Sequence, residues 1–346
     1  MRIFVAGGAG FIGANFIHYM LRNHEDVSIL NFDNLTYAGN LQNLTAVEED
    51  PRYFFVKGDI SNVDAVDESL SKHFDVVINF AAESHVDRSI EEPTLFARTN
   101  VLGTTVLLHI ARSKKIPLFL QISTDEVYGS LGKDGYFTED TPLAPNSPYA
   151  ASKASGDLVV RSFYKTYKYP VIVTRCSNNF GPYQFPEKLI PLFITNALED
   201  KHLPLYGDGL NIRDWIHVID HCEAIDMIIR DGIPGEVYNI GGEQERSNIE
   251  ITRLILEILG KPQSLIRFVE DRLGHDRRYA MDISKIRKEL GFSPRADFFG
   301  ALEETVQWYR DSETWWRNVK SGEYIQYYQK IYGKKLGKEE GPHSRG

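Results

Sequence analysis

The chain has 346 residues, of which 42% are hydrophobic and 25% charged, a composition typical of a globular protein large enough for two lobes. Its 39 basic and 48 acidic residues give a net charge of −9, which argues against general nucleic-acid binding because that function needs a basic face. The two cysteines, Cys176 and Cys222, have no metal-ligand spacing, so we expect neither a metal site nor a disulfide framework. No apolar run approaches the roughly 20 residues that span a bilayer, and the chain opens directly on a strand pattern. We therefore expect a cytoplasmic protein.

Short apolar runs alternate with amphipathic segments in the first half of the chain. This alternation predicts an α/β fold, a Rossmann-type, doubly wound parallel sheet with right-handed crossovers. The predicted strands are Arg2–Ala6, Val27–Phe32, Tyr53–Lys57, Val76–Phe80, Pro117–Ile122 and Val171–Arg175. Helices are predicted at Phe11–Arg22, at Thr94–Ser113 and, after the start signal Ser147–Pro148, at Tyr149–Tyr167.

The pattern loosens after Cys176, where prolines and two glycine-rich turns interrupt it. We expect residues 1–176 to form a Rossmann domain to which later segments return. Residues 177–333 would form mainly a smaller, discontinuous C-terminal lobe that binds substrate. Residues 334–346 are charged and have little to bury, which predicts a disordered tail.

The segment GGAGFIG places Gly7, Gly10 and Gly13 between the first strand and the first helix. Glycines at such a turn let the backbone approach a pyrophosphate, and the helix N-terminus then faces the anion. Asp33 follows Gly13 by twenty positions, where an acid can bind both ribose hydroxyls and repel a 2′-phosphate. The pattern favours NAD over NADP, with Asp59 placed to meet the adenine. The alternative is that Asp33 only caps the following turn.

Tyr149 and Lys153 stand four residues apart, which puts both side chains on one face of the predicted helix. An ammonium group beside a phenol favours the phenolate and makes tyrosine a usable base near neutral pH.

Together these motifs resemble the extended short-chain dehydrogenase/reductase family over most of the chain. By that resemblance Thr124 orients a substrate hydroxyl, Tyr149 removes its proton, and Lys153 binds the nicotinamide ribose and lowers the tyrosine pKa. Asn100 would support the helix and a water near Lys153. The NAD contacts implied are Gly7, Gly10, Phe11, Ile12, Gly13, Asp33, Asn34, Thr36, Asp59, Ile60, Ala81, Ala82, Thr99, Tyr149, Lys153 and Asn178.

The stretch STDEVYG adds two adjacent acids, Asp125 and Glu126, at the end of a strand buried on both faces. Oxidation of a sugar hydroxyl acidifies the neighbouring C–H bond, so one carboxylate can remove that proton while the other, protonated, assists loss of a hydroxyl. Crowding raises one pKa of such a pair and suits the two roles. Adjacent strand residues point to opposite faces, so both acids can face a substrate only if the chain bends after Thr124.

STDEVYG also matches the signature of one group in this family, the dTDP-glucose 4,6-dehydratases. The resemblance implies that Glu126 is the base at carbon 5 and Asp125 the acid for the carbon 6 hydroxyl. It further implies a tightly bound NAD regenerated at each turnover, a dTDP-glucose substrate and a homodimer built on the helices that begin at Thr94 and Tyr149. The substrate contacts implied are Ser84, Thr124, Asn179, Glu187, Lys188, Leu189, Arg213, Asn248, His275 and Arg278.

Two alternatives remain open at this point. A nucleotide-sugar 4-epimerase shares the glycine turn and the Tyr–Lys pair but has no use for adjacent acids. A non-catalytic NAD-binding regulator on the same fold would typically lack the tyrosine or the lysine. His85 and Arg88 receive no role, because either could serve packing or a salt bridge as well as a ligand.

Overall fold

A computed structural model of the protein describes residues 1–321, 323–333, 335 and 336. The strands among these residues are β1 (Arg2–Ala6), β2 (Ser28–Asp33), β3 (Tyr53–Lys57), β4 (Val76–Asn79), β5 (Leu118–Thr124), β6 (Val171–Cys176), β7 (Asn178–Phe180), β8 (Leu203–Tyr206), β9 (Ile212–His217), β10 (Val237–Ile240), β11 (Glu245–Ser247) and β12 (Ile266–Val269). The α-helices are α1 (Phe11–Asn23), α2 (Val63–Ser69), α3 (Val86–Glu91), α4 (Pro93–Phe96), α5 (Thr104–Ser113), α6 (Pro148–Tyr167), α7 (Leu189–Leu198), α8 (Val218–Asp231), α9 (Asn248–Leu259), α10 (Ser284–Leu290), α11 (Phe298–Asp311), α12 (Glu313–Val319) and α13 (Glu323–Tyr332).

The main sheet has seven parallel strands in the order β10-β6-β5-β4-β1-β2-β3. The predicted Rossmann-type fold is therefore confirmed, and each of the six predicted strands is found within two residues of its expected ends. Strand order reverses direction between β1 and β4. In a doubly wound sheet the crevice at the carboxyl ends of those strands is where ligands bind.

Helices cover both faces of this sheet, so its strands are buried on each side. Ile3 and Val5 of β1 point into one apolar layer, whereas Phe4 and Ala6 point into the other. All four side chains are fully buried. Such double-sided burial explains why these strands read as continuous apolar runs rather than as alternating ones.

A second core lies above the carboxyl edge of the sheet, where α7, α9 and α11 pack together with two small sheets. These sheets have the strand orders β11-β9-β7 and β12-β8. Strand β10 lies between them in sequence yet returns to the main sheet beside β6. The division of the chain at residues 176 and 177 stays a prediction. The predicted tail lies outside the described residues except for Lys335 and Leu336.

The helix predicted over Thr94–Ser113 is interrupted by a π-helical segment, Ala97–Gly103. Its widened turn directs Asn100 inward, where the amide accepts from the Glu83 N–H at 2.9 Å and donates to the Glu83 carbonyl at 3.0 Å. Asn100 also donates to the Ser152 hydroxyl of α6 at 2.8 Å. These bonds to partners outside its own helix account for the wider turn, a form often found near functional sites. Among the described residues, no helix combines the length and apolarity that a bilayer span requires.

A buried ion pair fixes α6 against the sheet. The Arg175 guanidinium of β6 donates to Asp157 of α6 at 3.0 Å, and their side chains are only 7% and 2% exposed. Arg175 also donates to the Tyr128 hydroxyl, which in turn donates to Asn239 of β10. The network therefore joins α6, β6, β10 and the turn that follows β5.

Replacing Arg175 with methionine should lower the free energy of unfolding by about 3–5 kcal/mol, because Asp157 would be left charged and buried without its partner. Urea denaturation followed by circular dichroism measures this change. Arg277→Met is the matched control: Arg277 pairs with Asp208, both side chains are more than half exposed, and its loss should cost less than about 1 kcal/mol. Equal losses in the two variants would contradict the structural role given to the buried pair.

Candidate active site

The turn between β1 and α1 requires glycine at its tightest points. Gly7 has a φ of +79°, and a Cβ there would lie 2.4 Å from the Ala81 nitrogen. A Cβ on Gly13 would lie 2.4 Å from the Gly7 carbonyl oxygen. The α1 N-terminus has no side-chain cap, since Gly10 occupies that position. Its first N–H groups are therefore available to an anion in the adjoining cavity.

Asp33 ends β2 with both carboxylate oxygens held by backbone. One oxygen accepts from the Leu35 N–H at 2.8 Å and the other from the Ala9 N–H at 2.9 Å. The carboxylate thus braces the turn that follows it, as the alternative interpretation requires, and it also lines the cavity beside the glycine turn. Burial raises the pKa of Asp33, and the two N–H donors oppose that rise.

This first cavity, the cofactor cavity, runs from the glycine turn to Lys153 along the carboxyl edge of the main sheet. Every residue predicted to contact NAD lines it. The structure therefore brings together residues that lie as far apart in sequence as Gly7 and Asn178. A glycine cradle that a Cβ would fill and an acid at the β2 end fit a dinucleotide with two ribose hydroxyls.

The chain bends where the two acids require it. Strand β5 ends at Thr124, and Asp125–Tyr128 form a single 3₁₀ turn. The Thr124 hydroxyl donates to Asp125 at 3.1 Å and accepts from the Glu126 N–H at 3.3 Å. Because the turn breaks strand alternation, all three residues line the cofactor cavity together.

The two carboxyl groups have different surroundings. Asp125 is 2% exposed, and one of its oxygens has no hydrogen-bond partner among the described residues. Burial raises the pKa of Asp125 well above its ordinary value, and the neighbouring Glu126 raises it further. Burial raises the pKa of Glu126 as well, but the charges of Lys188, Arg272 and Arg213 oppose that rise. The pKa of Asp125 is therefore raised further than that of Glu126, in the direction that a division into one acid and one base requires.

Tyr149 and Lys153 lie in the first turns of α6, which begins with a Ser147 cap and proline at the first position. Both side chains line the cofactor cavity. The Lys153 ammonium donates to the Ile122 carbonyl at 2.7 Å. Burial lowers the pKa of Lys153, and Asp157 opposes that change.

The lowering of the Tyr149 pKa by Lys153 stays a prediction. Burial raises the pKa of the Tyr149 phenol well above its ordinary value, and Glu126 adds to the rise. The Tyr149 phenol therefore needs a nearby positive charge before it can act as a base.

A second cavity, the nucleotide-sugar cavity, opens from the first and shares residues with it. The side chains common to both are Glu126, Asn178, Asn179, Gln184, Glu187 and Lys188. The predicted substrate residues Leu189, Arg213, Asn248 and His275 line the second cavity, and Ser84 and Thr124 line the first. Arg213 is buried, stacks on the Tyr279 ring at 4.1 Å and donates to the Asp276 carbonyl at 2.9 Å.

Arg278 is the predicted substrate residue that the structure places elsewhere. Its guanidinium makes two bonds to Glu245, at 2.7 and 2.8 Å, and it lines neither cavity. Arg272 and Tyr279 line the nucleotide-sugar cavity instead and were not predicted. All three belong to the segment DRLGHDRRYAMD, so the signal for a binding segment was present. The direction in which each side chain points depends on a loop that has no periodic pattern.

Comparison with known proteins agrees with this geometry. The sequence pattern of the family described as GDP-mannose 4,6 dehydratase matches residues 4–305. The dTDP-glucose 4,6-dehydratase of Streptomyces niveus is 50% identical over 325 residues, which cover 93% of this chain and 96% of that protein.

Among solved structures, dTDP-glucose 4,6-dehydratases are more similar in sequence to this chain than 4-epimerases are. The structure of a dTDP-glucose 4,6-dehydratase from Streptomyces venezuelae with NAD bound is 49% identical and has a TM-score of 0.90. The match covers 92% of this chain and 100% of that one. A UDP-glucose 4-epimerase from Thermotoga maritima shares the fold at a TM-score of 0.84 but is 28% identical, over 90% of this chain and 100% of that one. The family resemblance of the sequence is confirmed: this chain belongs to the nucleotide-sugar 4,6-dehydratases of the short-chain dehydrogenase/reductase superfamily.

Proposed function

We propose that the protein is an NAD-dependent dTDP-glucose 4,6-dehydratase, a hydro-lyase of deoxysugar biosynthesis. The reaction oxidises carbon 4, eliminates water across carbons 5 and 6, and returns the hydride to carbon 6, which gives dTDP-4-keto-6-deoxy-glucose. The observation that carries the proposal is the pair of adjacent acids, Asp125 and Glu126, that line the cofactor cavity together, with the charges of Lys188, Arg272 and Arg213 acting on Glu126.

The cofactor cavity would hold NAD, with the diphosphate at the glycine turn and a ribose at Asp33. NAD supplies the chemistry that side chains lack, since it takes up a hydride and gives it back within one turnover. Because the reaction involves no net redox change, the cofactor would be regenerated at each turnover and would have no need to leave.

Thr124, Tyr149 and Lys153 would act on the carbon 4 hydroxyl. Thr124 orients it by hydrogen bonding, and Tyr149 accepts its proton. The high pKa of the buried phenol must fall for that step, and a positive charge beside the phenolate is the physical means. Lys153 supplies one such charge and anchors a ribose.

Glu126 and Asp125 would carry out the elimination. Glu126, kept ionised by the surrounding cations, removes the proton from carbon 5. Asp125, protonated because of its burial, gives its proton to the departing carbon 6 hydroxyl, which leaves as water. When the hydride returns to carbon 6, Glu126 gives a proton back to carbon 5 and becomes a carboxylate again. The proton that Tyr149 took from the carbon 4 hydroxyl must then reach Asp125 before the next turnover.

The nucleotide end of the substrate would lie in the second cavity. Its lining includes three cationic side chains, as binding of a diphosphate requires: Lys188, Arg213 and Arg272. Asn179, Glu187, Leu189, Asn248 and His275 would complete the contacts. Arg278 is less suited to bind the diphosphate, because its guanidinium is already paired with Glu245.

The 4-epimerase alternative is disfavoured by the same acids. An epimerase moves a hydride on and off one carbon and eliminates no water. Two buried carboxyl groups beside the reacting hydroxyl would therefore cost it stability without serving its reaction. The regulator alternative is disfavoured because Tyr149 and Lys153 both line the cofactor cavity.

We further infer a homodimer and a cytoplasmic location. Leu95 and Leu102, in the helical region Thr94–Ser113, are 40% and 51% exposed, and Leu158 of α6 is 56% exposed. Apolar side chains on neighbouring helices suit packing against a second copy. Cys176 and Cys222 are free and buried, in keeping with a reducing compartment.

The assignment of base and acid is tested by paired variants. Native protein incubated with dTDP-glucose and no added NAD should form the 4-keto-6-deoxy product, detected by its absorbance in alkali. Glu126→Gln should reduce product formation by at least about a hundredfold, within the usual contribution of a general base. It should also abolish exchange of the carbon 5 hydrogen with D₂O.

Asp125→Asn is the matched comparison. It should likewise slow product formation but should retain carbon 5 exchange, because Glu126 is still present. Native turnover in Glu126→Gln would remove the base assignment. No product from native protein, even with NAD supplied, would remove the proposed activity and direct attention to UDP-sugars.

The pH dependence of kcat/KM should reflect the raised pKa of Glu126. The base form of a group with a raised pKa is lost as the pH falls through that value, so the acid limb should have its midpoint above the ordinary glutamate value of 4.5. Initial rates at subsaturating dTDP-glucose from pH 4 to 9 measure it. A rate that stays constant down to pH 4.5 would contradict the environment described for Glu126.

The dimer is tested by charge substitution at the exposed leucine of α6. Native protein should elute in light-scattering chromatography with twice the chain mass of 39.5 kDa, and Leu158→Glu should shift it toward the monomer. Ile233→Glu, at a residue that is 50% exposed in the loop after α8, should leave the mass unchanged. A native monomer, or a dimer in which Leu158→Glu has no effect, would reject this interface.

A further inference from the structure

Arg88 of α3 is held on both faces of its guanidinium group. Its Cζ lies 3.9 Å from the centroid of the Tyr37 ring and 4.1 Å from that of Tyr327. Its Nε donates to the Glu187 carboxylate at 3.3 Å. A planar cation fixed by two rings and one carboxylate has little freedom to reorient.

The first ring belongs to the loop of the cofactor cavity. Thr36, Ala38 and Gly39 line that cavity, whereas Tyr37 does not. Its ring turns away from the cavity, against Arg88 and, edge to face at 5.5 Å, against Phe185. A ligand that fixes the cofactor-cavity side of this loop therefore also fixes the ring on its other side.

The carboxylate belongs to the loop that both cavities share. Glu187 lines the cofactor cavity and the nucleotide-sugar cavity, and its side chain is 3% exposed. Burial raises the pKa of Glu187 to about 6, against the opposing charges of Lys188 and Arg88. Loss of the Arg88 contact would remove a hydrogen bond that fixes the position of the buried Glu187 side chain.

The second ring comes from the far end of the chain. Tyr327 lies on α13, beyond the segment 4–305 that the family pattern matches. Its hydroxyl is 3.1 Å from Nδ1 of His85, a residue that lines the nucleotide-sugar cavity. The helix α13 also donates a hydrogen bond from Tyr324 to the Pro186 carbonyl at 2.8 Å, immediately before Glu187.

We propose that Arg88 is a positioning residue that couples the two ligand sites, so that NAD in one cavity and the nucleotide diphosphate in the other tighten each other's binding. The Arg88 guanidinium contacts the Tyr37 loop on one side and Glu187 on the other, and the Tyr327 ring limits its movement. The inference rests on the proposed function for the identity of the two ligands. Coupling between equilibria is reciprocal, so either ligand can report on it.

The test measures the Kd of radiolabelled NAD by equilibrium dialysis of protein from which bound NAD has first been removed, with and without saturating dTDP. In native protein dTDP should lower that Kd by at least about fivefold, the lower end of usual coupling factors. Arg88→Lys keeps the charge but loses the planar stack, and the factor should fall toward one. Arg317→Lys is the matched control, because Arg317 also lies over an aromatic ring and pairs with a carboxylate but lines neither cavity.

A second pair of variants leaves Arg88 and Glu187 in place. Tyr327→Leu removes the ring and should reduce the factor, whereas Tyr327→Phe removes only the hydroxyl and should preserve it. If Arg88→Lys proves unstable in a thermal melt, these two Tyr327 variants test the coupling role by themselves. A factor of one in native protein, or an undiminished factor in Arg88→Lys and Tyr327→Leu, would overturn the coupling role.

This experiment is independent of turnover. A protein that shows Arg88-dependent coupling but makes no 4-keto-6-deoxy sugar would retain the positioning role and lose the proposed dehydration. A protein that makes the product without such coupling would retain the activity and lose the role of Arg88.

Discussion

The adjacent carboxyl groups of Asp125 and Glu126 place the strongest demand on the rest of the structure. Two acids at the end of a central strand cannot both be ionised in a buried site unless cations face them. The main sheet brings none of these cations. Lys188 and Arg213 come instead from segments that follow β6, and Arg272 comes from a loop near the end of the chain. The second lobe must therefore fold over the carboxyl edge of the sheet to bring the cations that compensate the charge of the buried acids.

The same cations give the site its binding capacity. Lys188 and Arg213 line the cavity suited to a nucleotide diphosphate, so the groups that hold Glu126 ionised also attract the substrate. Binding and acid–base chemistry thus share one electrostatic arrangement. The shared wall of Asn179, Glu187 and Lys188 explains why the two cavities form one continuous site.

Precision at the reacting centre comes from the way α6 is fixed. The Asp157–Arg175 pair ties this helix to β6, and Asn100 ties it to the Glu83 backbone through Ser152. Tyr149 and Lys153 project from the first turns of a helix held at two points along its length. A site supported by buried polar contacts of this kind holds its geometry more closely than one supported by loops.

Local sequence determined the parts of this protein that depend on one element at a time. Apolar runs located the strands of the main sheet, glycine spacing located the turn at Gly7, and the spacing of Tyr149 and Lys153 placed both on one helical face. The adjacent acids after β5 predicted acid–base chemistry, and the bend that they require after Thr124 is present. Each of these features follows from backbone geometry over a few residues.

Tertiary structure decided what depends on distant partners. Whether Arg272 or Arg278 faces the substrate depends on Glu245, which captures Arg278 from a strand 33 residues away. The π-helical turn at Asn100 depends on a carbonyl and an N–H of Glu83, and the high pKa of Tyr149 depends on burial. Arg88 had no assignable role until the rings of Tyr37 and Tyr327, from the two ends of the chain, were placed on either side of it. Burial and long-range charge are properties of the assembled fold, so no local pattern in the sequence can specify them.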